Sequence, residues 1–219
     1  MKILVLSDIH GAAAGIPRVI AAVPNPDLVV IAGDLTQRGG YAEAQAVVEP
    51  LLRQNLSLLA VPGNMDKPPV LEYLIERNIS IHGRGREIHG IGFFGVGGSN
   101  STPFHTPFEL DDDELTMLLQ QGLAAVTCCK TKILVSHSPP YKTQLDRTAF
   151  GIHAGSHIVR EFIQQQAPAL CISGHIHEAI GQEMVGSTLC VNVGAFKDGH
   201  YCLIDVSPEH IQVTRRSLK

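Results

Sequence analysis

Apolar residues come in short continuous runs along this chain, and each run stops at a turn. Residues 3–6 (ILVL) end at Ser7-Asp8, residues 28–31 (LVVI) at Ala32-Gly33-Asp34, and residues 58–61 (LLAV) at Pro62-Gly63-Asn64. Runs this short and this rich in Val, Ile and Leu predict strands buried on both faces. Between them the spacing turns helical. Ala44, Val47, Val48, Leu51 and Leu52 share one face of a helix over about 41–53, and a second short helix is predicted over about 70–76. Strand–helix–strand alternation predicts an α/β fold.

The pattern loosens in the middle. Residues 87–98 read as a strand or hairpin with several glycines, and 99–107 (SNSTPFHTP) as a polar loop. The run 111–114 (DDDE) then opens a helix to about 121. Acidic side chains suit the positive end of a helix macrodipole, so this run is read as a solvated helix start rather than a metal site. Residues 132–135 form a strand ending at Ser136-His137, and a long loop covers 138–155. A helix follows to about 166 with Ser156 as N-cap, and residues 170–172 end at Ser173-Gly174-His175. Late strands are predicted at about 188–193, 200–205 and 210–214. No linker or repeat divides the chain, so residues 1–219 are read as one domain.

Composition narrows the function classes. The chain is 44% hydrophobic and 17% charged, which describes a globular protein. No apolar run is long enough for a bilayer, and MKILVLSDIH reaches Asp8 too soon for a signal peptide, so a cytoplasmic protein without a membrane partner is expected. A net charge of -4 with no basic tract argues against nucleic acid as a partner. An aromatic content of 5% with no Trp argues against a base-stacking platform. The five cysteines include no CxxC pair and read as reduced, mostly buried thiols.

The eleven histidines carry more information, because several stand beside Asp or Gly where apolar runs end. Five polar clusters follow five strands: Asp8-Ile9-His10, Gly33-Asp34, Gly63-Asn64-Met65-Asp66, His137 and Gly174-His175-Ile176-His177. Ligands of α/β sheets bind outside the carboxyl ends of strands, so the clusters are expected to converge. With Asp66 set aside, they offer two carboxylates, one amide oxygen and four imidazoles. That mixture suits Mn, Fe, Zn or Co rather than Ca. Asp34, alone at its strand end, is the natural bridge between two ions. Asp8 and His10 are two residues apart, as are His175 and His177, and in extended backbone each pair faces one way. Glycine before Asp34, Asn64 and His175 permits close backbone approach. A lone DxH, GD or GN is common by chance and GHxH is moderately specific; all five in this order, each after a strand, are highly specific.

The series Asp8/His10, Asp34, Asn64, His137 and His175/His177 resembles the DxH…GD…GN…H…GHxH signature of the calcineurin-like metallophosphoesterases over nearly the whole chain. Residues 137–141 (HSPPY) and 97–100 (GGSN) are most similar to the small prokaryotic Icc-related phosphoesterases. The resemblance implies a four-layer α/β/β/α sandwich with a dinuclear site at the strand ends. It implies two divalent ions (Mn, Fe or Zn), one held by Asp8, His10, Asp34 and His177, the other by Asp34, Asn64, His137 and His175. It also implies hydrolysis of a small phosphorylated molecule, a diester before a phosphoprotein, by a water that bridges the ions. No protein nucleophile is then needed, and Ser7, Ser136 and the cysteines are read as structural. Asp34 and Asn64 count as catalytic through the metals.

The chain departs from the family at one point. The family's GNH is Gly63-Asn64-Met65 here, and Gln37 stands where the phosphatase branch carries an Asp that orients that His. Met has no proton to give a leaving oxygen. Substitutes are sought in the loops among His105, His153 and His157, with His153 first because it lies between Gly151 and Gly155 in the loop leaving His137. Lys142, Arg147 and His105 are candidate substrate contacts, and His82, His89, His200 and His210 are read as structural. The competing expectation is a non-catalytic scaffold of the same fold.

Overall fold

In a computed structural model, residues 1–207 and 210–218 are described. Thirteen strands appear in chain order: β1 (Lys2–Leu6), β2 (Leu28–Ala32), β3 (Leu58–Val61), β4 (Arg84–Ile88), β5 (Ile91–Val96), β6 (Ser99–Asn100), β7 (Glu109–Leu110), β8 (Thr131–Ser136), β9 (Leu170–Ser173), β10 (Gly181–Val185), β11 (Thr188–Asn192), β12 (His200–Val206) and β13 (Ile211–Ser217). The helices are α1 (Ile16–Ala22), α2 (Tyr41–Leu52), α3 (Pro68–Glu76), α4 (Asp112–Ala124) and α5 (His157–Gln166). One sheet runs β13-β12-β1-β2-β3, with β1, β2 and β3 parallel. The second runs β10-β11-β9-β8-β5-β4, with antiparallel strands only at its edges.

Period-two alternation within the buried strands sorts their side chains into three apolar layers. Leu4 and Leu6 of β1, Val29 and Ile31 of β2, and Ala60 of β3 join a cluster with Val47, Leu51, Val70 and Tyr73 of α2 and α3. Their neighbours Ile3, Val5, Val30 and Val61 point the other way, into a cluster with Phe93, Ile133, Val135, Ile172 and Val191 of the second sheet. Phe94, Leu134, Cys171 and Cys190 of that sheet meet Leu115 and Leu119 of α4 and Val159 and Phe162 of α5. The order of apolar contacts is therefore helix, sheet, sheet, helix. Strands read as continuously apolar are so because each has a packed layer on both faces.

Local expectations meet their causes here. Asp111 caps α4 by accepting from the Glu114 N–H at 2.8 Å, while Asp112, Asp113 and Glu114 are exposed. Ser156 caps α5, accepting from Val159 N–H at 3.2 Å. The glycine-rich middle is the β4–β5 hairpin. Four elements were not expected: the short helix α1, the two-residue strands β6 and β7, which pair in the segment read as a polar loop and just after it, and edge strand β10, whose alternating burial gives only a weak apolar signal. The 138–155 loop contains a 3-10 turn, Gln144–Asp146. Among the described residues, no helix is long and apolar enough to cross a membrane.

Candidate metal centre

The parallel strands β1, β2, β3, β8 and β9 deliver Asp8, Asp34, Asn64, His137 and His175 just beyond their carboxyl ends. The mechanism of convergence differs from the expectation of extended backbone. Asp8 (φ 52°), His10 (φ 47°), Asp34 (φ 50°) and His175 (φ 71°) all lie in the left-handed region. Non-glycine residues occupy it at a cost, and only where surroundings fix it. Asp8 and His10 are fixed by backbone bonds, Asp8 N–H donating to Gly33 O at 3.1 Å and His10 N–H to Asp34 O at 2.9 Å, whereas His175 N–H donates to the Asp8 carboxylate, Oδ2, at 3.0 Å.

Glycine is obligatory where the loops meet. A Cβ on Gly63 would stand 2.0 Å from Asp34 Oδ1 and 2.1 Å from Asp34 N. One on Gly174 would stand 1.9 Å from Ser7 Oγ and 2.3 Å from Asp8 Oδ2.

The donor atoms form two groups. Asp8 Oδ1, His10 Nε2 and His177 Nε2 lie 3.2–3.9 Å apart, and Asp34 Oδ2 is 3.6 Å from His10 Nε2. In the second group His137 Nε2 is 3.5 Å from the same Asp34 oxygen and 3.0 Å from Asn64 Oδ1, which is 2.9 Å from His175 Nδ1. A tetrahedral ion with 2.0–2.1 Å bonds has donor–donor edges of about 3.3 Å. Both groups therefore fit a first-row divalent ion in donor type and in spacing. His137 Nδ1 donates to Ala32 O at 2.8 Å, which leaves Nε2 as the atom turned to the site. His10 Nδ1 is buried with no hydrogen-bond partner among the described residues.

The electrostatics are those of a cation cradle. Burial works to raise the Asp8 pKa, but the hydrogen bond from His177 and the charges of His137 and His177 hold it well below the usual range. Burial works to lower His137, and the Asp34 charge and hydrogen bond push it instead up to about 9. A divalent ion between those groups would take the place of that proton. Burial and the nearby His137 charge push His175 down to about 4. Burial lowers His10 against the pull of Asp34 and Asp8, and the charges of His177 and Lys197 add to the lowering.

Two supporting residues were missed from the sequence. Asp66, set aside above, is fully buried and clamps the β2 and β3 loops together. It accepts from Leu35 N (3.1 Å), Thr36 N (2.8 Å), Thr36 Oγ1 (2.8 Å) and Gly63 N (2.8 Å). Burial and the Asp34 charge raise its pKa to about 7, against the donors from Gly63 and Thr36. Lys197 is the second; its N–H donates to Asp8 O at 3.2 Å. Only its position after a glycine-flanked strand end hinted at it.

Met65 contributes through its backbone, donating to Asp34 Oδ1 at 2.8 Å. His153 pairs with buried Asp146, Nδ1 to Oδ1 at 2.7 Å, and is not in hydrogen-bond contact with the seven donors. Lys142, Arg147 and His105 are exposed, and none of the three hydrogen-bonds to the donors among the described residues. The Lys142 ammonium lies over the Tyr141 ring at 5.5 Å. His157 stacks on Tyr141 at 3.6 Å. His82, half-buried, accepts from Gly97 N–H and is pushed down to about 4 by burial, as a structural histidine would be. All five cysteines are free, with only Cys128 exposed.

Comparison with known proteins follows the same line. The family model of the calcineurin-like phosphoesterases matches residues 1–179. An uncharacterized protein of Methanocaldococcus jannaschii is 36% identical over 198 residues, covering 88% of this chain and 87% of its own length. A protein described as a probable cyclic nucleotide phosphodiesterase from Synechococcus is 26% identical over 172 residues, covering 76% of this chain and 66% of its own. Among solved structures, one from Thermus thermophilus superposes with a TM-score of 0.77 at 23% identity, covering 97% of each chain. A dimetal phosphatase from Danio rerio superposes at 0.68 and 12% identity, covering 99% of this chain and 96% of that one.

Proposed function

Because the chain belongs to the calcineurin-like phosphoesterase family, we propose that it hydrolyses a phosphodiester of a small molecule at two divalent metal ions. The observation that carries the reading is Asp34 Oδ2, a single oxygen 3.6 Å from His10 Nε2 and 3.5 Å from His137 Nε2. Asp8, His10, Asp34 and His177 would hold one ion, and Asp34, Asn64, His137 and His175 the other. Such a pair supplies charge for phosphoryl oxygens and acidity for water.

The chain's own part is to hold the donors still. Asp34 gives one oxygen to the centre while the Met65 N–H occupies the other. Asp66 keeps Gly63 and Thr36, and so Asn64 and Asp34, in register. Lys197 beside Asp8, and Arg147, Lys142 and His105 on the exposed loops, are the proposed contacts for the substrate's phosphate. A diester substrate is favoured over a phosphoprotein by the Synechococcus relative and by Gln37, which stands where the phosphatase branch carries an Asp. The complete donor set weighs against a scaffold without catalysis.

The test is metal stoichiometry joined to turnover. The chain should take up two Mn or Zn ions and then hydrolyse bis(4-nitrophenyl) phosphate. Uptake of fewer than one ion per chain, or turnover that survives Asp34→Asn, would refute the proposal.

A further inference from the structure

An alkoxide is a poor leaving group, and hydrolysis of an alkyl ester calls for a proton donor placed beside the departing oxygen. Met65 has none to offer. The loop between β8 and α5 carries a histidine–carboxylate pair that ligates nothing in the cradle. Asp146 is wholly buried and accepts from Thr143 N (2.9 Å), Lys142 N (3.1 Å), Gly155 N (3.0 Å) and His153 Nδ1 (2.7 Å). The His153 side chain keeps 33% of its surface exposed, and its Nε2 makes no hydrogen bond among the described residues. A Cβ on Gly155 would lie 2.9 Å from Asp146 Oδ2, so the loop is shaped around that carboxylate.

The loop is fastened to the metal-binding turn at two points. The Asn192 amide donates both to Leu145 O at 3.0 Å and to Ile176 O at 2.9 Å. Leu145 precedes Asp146, and Ile176 lies between His175 and His177. Beyond Asp146 in the same loop, Ala149 N–H donates to Glu178 Oε1 at 2.7 Å, one residue after His177. Arg147 and His153 pair as an antiparallel bridge within that loop, and the Tyr141 ring packs edge-on against His153 at 5.9 Å.

We infer that His153 is the general acid for the leaving group, with Asp146 as its positioning residue. The inference rests on the phosphoesterase reading above. Water adds to phosphorus and loses a proton to solvent. The bond to the leaving oxygen breaks with its electron pair on that oxygen, which takes the Nε2 proton of His153. The Nδ1 proton stays on the ring, donated to Asp146 Oδ1, and Nε2 regains a proton from solvent.

The experiment uses monoesters of phenylphosphonic acid, diester analogues with a single leaving group, and the metal-loaded full chain. His153→Ala should lower kcat/KM for an alkyl ester by about 10²–10³-fold, and for the 4-nitrophenyl ester by less than about 10-fold. Asp146→Asn should show the same ordering with smaller losses, whereas a merely structural role would lower both esters alike. The 4-nitrophenyl rate also reports that each variant is folded and loaded. Equal losses on both esters, or none on the alkyl ester, overturn the assignment. If the wild-type chain binds two ions yet hydrolyses neither ester, it is the phosphoesterase reading that has failed, and the acid falls with it.

Discussion

His137 and His153 both face a buried carboxylate, the first 3.5 Å from Asp34 Oδ2 and the second 2.7 Å from Asp146 Oδ1. Their surroundings differ. His137 is fully buried, and both its nitrogens are engaged, by Ala32 O on one side and by Asp34 and Asn64 on the other. His153 is a third exposed, and its Nε2 makes no hydrogen bond among the described residues. On the proposed reading, the same two residue types serve as a fixed ligand in one place and as a proton carrier in the other. Burial and the number of occupied ring nitrogens separate them, not the pairing itself.

Breaking the two carboxylates separately should separate the roles. Asp34→Asn is expected to cost about 10³-fold or more in turnover on every ester, because the shared oxygen loses its charge. Metal analysis of the same variant should show fewer than two ions per chain. A variant that keeps both ions and full turnover would place Asp34 outside the centre.

Asp66→Asn comes next. Its four contacts are all with donors, so an amide NH₂ would face N–H groups in a buried site. The cost should be about 1–3 kcal/mol of stability. Metal affinity should fall by about 10–100-fold, as for other groups that orient ligands. Calorimetric titration with Zn checks the second figure, and unchanged affinity would mean that the cradle holds its shape without the clamp.

Glu109 sharpens the comparison from the loop on the other side of Asn64, where Phe108 N–H donates to Asn64 O at 3.1 Å. Burial works to raise its pKa, but the Thr102 hydroxyl and the Thr106 N–H and hydroxyl hold it down at about 2. A depressed folded-state pKa stabilises above the unfolded value, 4.5, and that stability is lost as pH falls from there towards 2. Glu109→Gln should therefore lower Tm at pH 7, by an amount equivalent to about 1 kcal/mol. The gap to wild type should narrow through pH 4 and 3. A gap independent of pH would show that the charge is not what the threonines hold.

The smallest effect is expected at Met65. Its N–H to Asp34 Oδ1 survives in Met65→Ala, so turnover should change by about 2-fold, on the scale of ~0.5 kcal/mol. A larger loss, measured at saturating metal, would mean that the thioether itself lies against the substrate.

Much of the molecule was legible one segment at a time. The runs at 3–6, 28–31 and 58–61 are strands, the Ser156 cap stands where its side chain predicts, the acidic run from Asp111 opens α4, and the seven donors follow the strands they were assigned to. These features depend on neighbours in the chain: apolar continuity, a capping oxygen, a glycine before a polar residue. What tertiary structure decided is everything that needs two distant segments. The two sheets and their order, the left-handed backbone at Asp8, His10, Asp34 and His175, and the edge strand β10 all follow from packing rather than local preference. Asp66 looked spare because its four donors lie partly 30 residues away, and Asp146 looked like any loop aspartate. A carboxylate's role is set by which N–H groups surround it after folding, and sequence order does not carry that information.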